Sequence, residues 1–487
     1  MKATRAFLAT FAILLAPALP AYAHVGNPNV FYEGDAGPYH LFVTVRMPQV
    51  IPGVAEVEVR TSSDDVREIA TAVARLNGPG SKYLPVPDLA KQSKTDSRFF
   101  NSSLWLMEYG SLRVLLKVNG ARGSAELSVP VASFGQAVLP MPKALGALLL
   151  MLAIGLAVGA ISIVGAAARE SRVTPGAAIT PDYRRRGQRA MAVMTVLVGL
   201  TTWGAFTWWN ADANGHATLA KFFKSPKCAA TLAGNRITIR PTDQLWLENE
   251  KVEDLVFDHG HIMHLFLVRT PGLDRIWHLH PERTGQGTFE ENLPSIDAGH
   301  YRVFADIVDK SGFPWTLVAS IDMPNVTGPA MSGDDSEGTA ASLARSSDTM
   351  TSPLADGTRV VWKRDRAPLK ANVPMIFKFE VKDKTGAAAN DLEPYMGMAA
   401  HAEIIRDDLS VFAHIHPSGS TPMASMMMAS MDTPGSSSMA AMKMPTERVS
   451  PELSIPYGFP KPGLYRIFLQ FKRAGRIETA SFDAHVQ

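Results

Sequence analysis

Two uncharged apolar runs divide the chain, and no other feature restricts its folding as strongly. Residues 144–168 (ALGALLLMLAIGLAVGAISIVGAAA) carry no charge over 25 positions, and residues 190–209 (AMAVMTVLVGLTTWGAFTWW) none over 20. A helix needs about 20 such residues to cross the hydrocarbon core of a bilayer. The loop between them, 169–189, holds Arg169, Arg172, Arg184, Arg185, Arg186 and Arg189. Positive loops stay in the cytoplasm and tryptophans collect at membrane interfaces, so Trp203, Trp208 and Trp209 belong at the outer end of the second span. These features predict a two-span protein of a bacterial inner membrane, with 24–143 and 210–487 both periplasmic. Neither span contains an ionisable residue, which argues against an ion or proton pathway. Gly155 and Gly159 offer a small-xxx-small surface for packing the two helices together.

The N-terminus agrees with export. Lys2 and Arg5, the apolar AFLATFAILLAPAL and the small-x-small AYA at 21–23 read as a signal peptide over 1–23. Its removal leaves His24 first. The formal charge is +2; without Lys2 and Arg5 it balances, which gives no footing for a nucleic-acid partner. The single cysteine, Cys228, excludes an internal disulfide, leaving core burial, metal or the membrane to stabilise the exported parts.

Those parts alternate in the manner of strands. HLFVTVRMP, AEVEVRT, SLRVLLKVNG and GSAELSVPV mark 24–136 as one β domain, with DVREIATAVARL expected as a helical patch. This region resembles the small exported YtkA-like domains. After the second span, 228–326 and 357–487 repeat one another: AGHYRVFADI matches PGLYRIFLQF, and WHLHP matches AHIHP. Residues 327–356 read as a flexible linker, and 419–445 as a methionine-rich insertion. The predicted fold is mainly β, with Ig-like or cupredoxin-like β-sandwich domains, one N-terminal and two repeated C-terminal, joined by two transmembrane helices. Tyr301, Arg302, Tyr465 and Arg466 are expected to serve the architecture of the repeats.

The repeated His-x-His-Pro phrase carries the chemistry. Alternate strand residues share a face, so His278 and His280 project together, as do His414 and His416. Hairpins turning near Pro271-Gly272 and Asp407-Asp408 bring His264 and His401 opposite or diagonal to those pairs. His259 and His261 precede the first hairpin where Met396 and Met398 precede the second. Three imidazoles can thus converge in each repeat, at a sheet edge closed by Pro281 and Pro417, and each repeat is expected to bind one metal independently. Asp258 and Glu393 are candidate carboxylates to orient imidazoles.

Copper accepts imidazole and, as Cu(I), thioether, whereas zinc gains little from methionine. The exchange of His259 and His261 for Met396 and Met398 therefore points to copper, with zinc the alternative. Met426, Met427 and Met428 in the insertion extend the soft-ligand set as a mobile collector. On this alignment the second site, with Met396 and Met398, is expected to favour Cu(I).

The repeats resemble periplasmic copper-handling proteins. His24, with His40 completing the set, resembles the start of exported copper-resistance proteins and copper monooxygenases. The plan of β domain, two helices and β domain resembles the large soluble-domain subunit of particulate methane monooxygenase. In sum the chain resembles bacterial membrane-anchored periplasmic proteins. These resemblances imply a copper-binding protein for capture, buffering or delivery, serving a copper-requiring membrane enzyme or an efflux system. No catalytic set stands at a defined spacing, so a copper-dependent oxidoreductase subunit is the alternative, and an Ig-like scaffold of a membrane complex the third reading.

Overall fold

The computed structural model describes residues 25–81, 83–137, 139–343, 349–431 and 449–487. The signal peptide, His24 and the methionines at 439, 442 and 444 lie outside the described residues. The chain divides into two compact units, one made of 137–221 and the other of the flanks before and after it. Its architecture is mainly β, in multiple antiparallel sheets, with two apolar helices.

Those two helices make up the smaller unit, and both are long and apolar enough to cross a membrane. They run further than the apolar runs suggested, over Lys143–Glu170 and Pro181–Phe222. The second takes in the arginines from 184 to 189, which were expected in a loop. Its 42 residues at about 1.5 Å each exceed any bilayer core. The helices do not meet at Gly155 and Gly159, where a Cβ would find nothing within 4 Å. They meet at Gly165 and Gly187, where a Cβ on Gly187 would stand 3.0 Å from the Gly165 carbonyl oxygen.

In the larger unit, residues 25–136 form two antiparallel sheets around one core that includes Tyr39, Val43, Val57, Leu116 and Val129. The expected helical patch is a strand, Val66–Arg75, paired throughout with Gly110–Gly120. Ala70, Ala72 and Ala74 tolerate either state. A bulge near Val66–Glu68 sets the phase, and burial of Ile69, Thr71 and Ala72 in the sheet overrides helix propensity.

Each repeat is a pair of sheets, an outer one and an inner one. The inner sheet of the first repeat orders Leu255–Val256, Gly299–Asp309, His264–Thr270, Arg275–Leu279 and Ser336–Thr339, with Pro314–Met323 also on Gly299–Asp309. The inner sheet of the second orders Leu392–Glu393, Gly463–Arg473, His401–Arg406 and Phe412–Ile415, with Arg476–Val486 on Gly463–Arg473. Period-2 alternation gives each inner sheet two apolar faces. Leu265, Leu267, Trp277 and Val303 face the first repeat's own core, and Ala402, Ile404, Ile415 and Ile467 the second's.

The opposite faces pack on each other. Phe266, Val268, Ile276, Phe304, Ile405, Phe412 and Phe468 form one buried cluster, with Phe304 stacked on Phe412 at 4.2 Å. Equivalent positions, such as Val268 and Ile405 or Phe304 and Phe468, belong to this one cluster. The histidines lie on these same faces. They are therefore buried between the repeats, not at a sheet edge as expected.

The segment expected as a flexible linker is part of this assembly. Ser336–Thr339 pairs with Arg275–Leu279, and Thr351–Pro353 with Arg359–Trp362. The methionine insertion begins with a helix, Met423–Met431, whose Met423 and Met426 are buried in the core of the 25–136 domain.

Candidate metal centre

The hairpin of the first repeat sets Phe266 opposite His278 and so His264 opposite His280. Each of the three rings is oriented from outside. His264 donates Nε2–H to the Asp258 carbonyl at 3.1 Å, His278 donates Nδ1–H to Gln470 Oε1 at 2.9 Å, and His280 donates Nδ1–H to Asp335 Oδ1 at 2.9 Å. In a neutral imidazole the other nitrogen then carries a lone pair. Two of these, His264 Nδ1 and His278 Nε2, face each other at 3.0 Å, and the third, His280 Nε2, has no protein partner. A metal ion among the three rings would take a lone pair from each, and the ligand atoms lie within 4.8 Å of one another.

The second trio is not drawn from one repeat. It joins His401 and His416 to His259 of the first repeat, again within 4.8 Å. His259 crosses because it sits at φ 50° in a two-residue turn closed by Asp258 and His261, followed by Gly260 at φ 86°. Tyr395 and Met398 close the same turn in the second repeat, with Met396 at φ 47°. The two turns touch, since His259 donates Nδ1–H to the Met396 carbonyl at 2.9 Å. That leaves His259 Nε2 free of protein partners, along with both nitrogens of His401. His416 leans on the Thr421 backbone without a hydrogen bond of ordinary geometry.

His414 touches both trios, at 4.7 Å from His416 and 5.4 Å from each of His401, His264 and His278. The independent one-repeat sites expected from the alignment are thus one continuous histidine layer. His261 stands outside both trios, stacked on His280 at 3.9 Å with Nε2 3.2 Å from Asp334 Oδ2.

Burial holds His264, His278, His401, His414 and His416 well below the ordinary imidazole pKa, and neighbouring imidazoles push the same way. His280 is lowered by burial against the pull of Asp335. Neutral rings keep their lone pairs for a metal. The cost without one is large. Seven ring nitrogens of His259, His280, His401, His414 and His416 have no protein partner. At about 1–3 kcal/mol each they rival the net stability of a domain, about 5–15 kcal/mol.

Other expected ligands lie elsewhere. Met398 packs with Met423 and Met426 against the 25–136 domain, and Met427 partly so. Met428 Sδ accepts from Asn77 Nδ2 at 3.4 Å. These methionines are packing residues in the described helix, not a mobile collector. His40 is bound at 2.7 Å to Asp35 and 3.1 Å to Glu33, and Glu33 first, then Asp35, raises its pKa to about 9, so a proton occupies it at neutral pH. Glu393 accepts from Gly475 N–H, and among the described residues it makes no ion pair or hydrogen bond with a histidine. Asp258 orients His264 through its carbonyl, while its carboxylate accepts Ala424 N–H at the methionine helix.

Five polar groups escaped the sequence reading: Asp334, Asp335, Gln470, Asp306 and Glu403. Asp306 and Gln470 occupy one column of the repeat (FADI against FLQF), a polar residue in an apolar strand, and that was the available signal. In the structure they are equivalent. His414 Nδ1 lies 3.7 Å from Asp306 Oδ2, as His278 Nδ1 faces Gln470. Burial pushes the Asp306 carboxyl up to about 7 against its hydrogen bond from Thr316. Glu403 is fully buried without a partner and held well above the carboxylate range by burial, its Oε1 3.9 Å from His278 Nδ1.

Comparison with known proteins adds a family for the second repeat only. Residues 353–487 match a domain of unknown function, DUF8832. No curated protein matches the chain. Solved structures it is similar to include dimeric latent PorU from Porphyromonas gingivalis, at 9% identity and TM-score 0.15 over 94% of this chain and 34% of that one. Another is a putative membrane anchored protein from Corynebacterium diphtheriae, at 10% identity and TM-score 0.14 over 93% of both. At such scores the likeness carries no argument.

Proposed function

We propose that the chain is a membrane-anchored periplasmic protein that holds copper between two Ig-like β-sandwich repeats, for capture, buffering or delivery. The observation that carries the reading is the convergence of imidazole nitrogens in two trios, five of the six rings buried, with partnerless nitrogens on His259, His280, His401 and His416. The Ig-like assignment is supported by a tyrosine corner in each repeat: Tyr301 donates to the Asp297 carbonyl and Tyr465 to the Lys461 carbonyl, each four residues upstream. The arginines clustered from 169 to 189, between the two apolar runs, support periplasmic placement of both flanks.

Imidazole suits copper and zinc alike. Copper is preferred because methionine stands among the histidine segments of the repeat, Met396 in the turn whose carbonyl accepts from His259, and a thioether suits copper where zinc gains little from it. A copper-requiring membrane enzyme or an efflux system is the proposed recipient. The test is metal analysis of the detergent-solubilised full chain after loading with copper and zinc in competition. Two coppers per chain are expected; zinc at both sites refutes copper, and no bound metal refutes the reading.

A further inference from the structure

A cavity of about 160 Å³ lies beside the histidine layer. Its lining includes His264 of the first trio, His416 of the second, and His414, which touches both. Most of the remaining wall is aromatic or aliphatic, with Phe134, Phe313, Trp315, Phe412, Val131 and Val308 among its residues. Interiors are close-packed, and voids larger than a water molecule are few. This partly open pocket, beside the partnerless nitrogens of His414 and His416, has room for an occupant.

We propose that the cavity binds a small uncharged molecule, which becomes a direct ligand of the copper held by the histidines. The inference rests on the copper reading and deepens it. Three imidazoles fill three positions of a four-coordinate metal, and the fourth goes to water or substrate wherever such a site is open. A closed storage site needs no adjoining space. Here the space is comparable to the roughly 150 Å³ apolar cavity that admits benzene. That bounds the ligand at about that size, and the mainly apolar wall selects against charge. The lining also holds Lys224, Asp258 and Asp306; Asp258 Oδ1 accepts Ala424 N–H at 2.7 Å, and Asp306 Oδ1 accepts from Thr316 Oγ1 at 2.6 Å. A metal with an open position facing an apolar chamber can activate a molecule as well as carry an ion, which separates this chain from a simple buffer.

Carbon monoxide is the probe, as a small uncharged ligand of Cu(I). The full chain in detergent is loaded with Cu(I), its copper content is measured, and the carbonyl stretch is followed by infrared spectroscopy as carbon monoxide is added. A saturable copper–carbonyl band is expected. Val308→Phe, which adds bulk to the cavity wall at a position that is not a proposed ligand, should weaken carbon monoxide binding at least tenfold, roughly, at unchanged copper content. Val308→Leu is the milder variant should the phenylalanine fail to fold, and a smaller loss is expected from it. A copper-loaded chain with no carbonyl band overturns the proposal while leaving the copper reading intact. A band of unchanged affinity in the folded Val308 variants overturns the cavity as its site. Failure to take up copper at all is the failure of the metal reading itself.

Discussion

In the first repeat every histidine of the trio is held by a hydrogen bond from its outer nitrogen, to a carbonyl, an amide oxygen and a carboxylate. In the second trio only His259 is held that way; His401 makes no hydrogen bond through either nitrogen among the described residues. The strands that carry the histidines, their hairpin registers and the turns before them correspond. The difference lies in what meets the outer ring nitrogens, and it teaches that a repeat fixes ligand positions while its surroundings fix ligand orientation. An outer carboxylate such as Asp335 also raises ligand basicity. The first trio is therefore the pre-organised site, and the second is completed on binding.

Both trios share one liability, acid, and this gives the largest expected effect. Burial lowers the folded-state pKa of six imidazoles. Below about pH 6.5 the unfolded chain takes up protons that the fold refuses, so stability falls as pH falls. Raised carboxyls act in the opposite sense, penalising the fold as pH rises towards 7: Asp306, Glu403 and Asp258 near the layer, and Glu250, Glu291 and Glu478 away from it. The imidazole share is therefore isolated by difference. At about 1.4 kcal/mol per group and pH unit, replacing His414 and His416 by Gln in the metal-free protein should make stability less sensitive to acid between pH 7 and 5.5 by on the order of 2 kcal/mol. Urea unfolding of the full chain and of this variant with chelator, at both pH values, measures this. An unchanged pH dependence in the variant would mean that these two rings are not neutral and buried.

The next effect tests which repeat owns which ligand. His259→Ala should empty the trio of His401 and His416, or weaken it more than ~100-fold, since losing a ligand exceeds losing an outer partner. The first trio should keep its metal, although His259 is part of the first repeat. Copper counting on this variant and on His264→Ala separates the two. If His259→Ala affects the first trio instead, the crossing is wrong and each repeat binds alone.

That crossing marks the limit of what could be read in the residues. The hairpins and the facing of His264 by His280 follow from strand periodicity and turn residues, and those were legible. Both apolar helices were legible from length alone. His259 was misassigned because its partner depends on how two sheet faces dock, and no local pattern encodes that. The linker was misread for the same reason. Ser336–Thr339 has little apolar content, but it gains strand structure by pairing with Arg275–Leu279, and with it come Asp334 and Asp335. The Val66–Arg75 strand shows propensity yielding to pairing, and the methionine helix shows soft side chains used for packing.

A smaller effect sharpens the contrast in orientation. Asp335→Asn removes the charge behind His280 but keeps a polar group of the same shape. Outer-partner losses cost about 10- to 100-fold in metal affinity, and a conservative amide belongs at the lower end. The first trio should weaken about tenfold while the second is unchanged. Competition with a chromophoric chelator reads both affinities. Equal weakening of the two would show that the trios act as one site with no separate first-repeat anchor.

The smallest effect separates His261 from His259, its neighbour two residues away. His261 lies flat against His280, with ring centroids 3.9 Å apart and planes 28° apart. Its Nε2 is engaged by Asp334, and its side chain is 28% exposed, unlike the buried ligands. A ring so placed shields the His280 face, and its nitrogens lie outside both groups of converging ligand atoms. His261→Phe keeps the stacked surface, discards both nitrogens and should change copper affinity by less than about threefold, within the scatter of a surface substitution. The same chelator competition measures it beside His259→Ala. A loss comparable to that of His259→Ala would make His261 a ligand, turn the first trio into a four-histidine site and remove the open position on which an exogenous ligand depends.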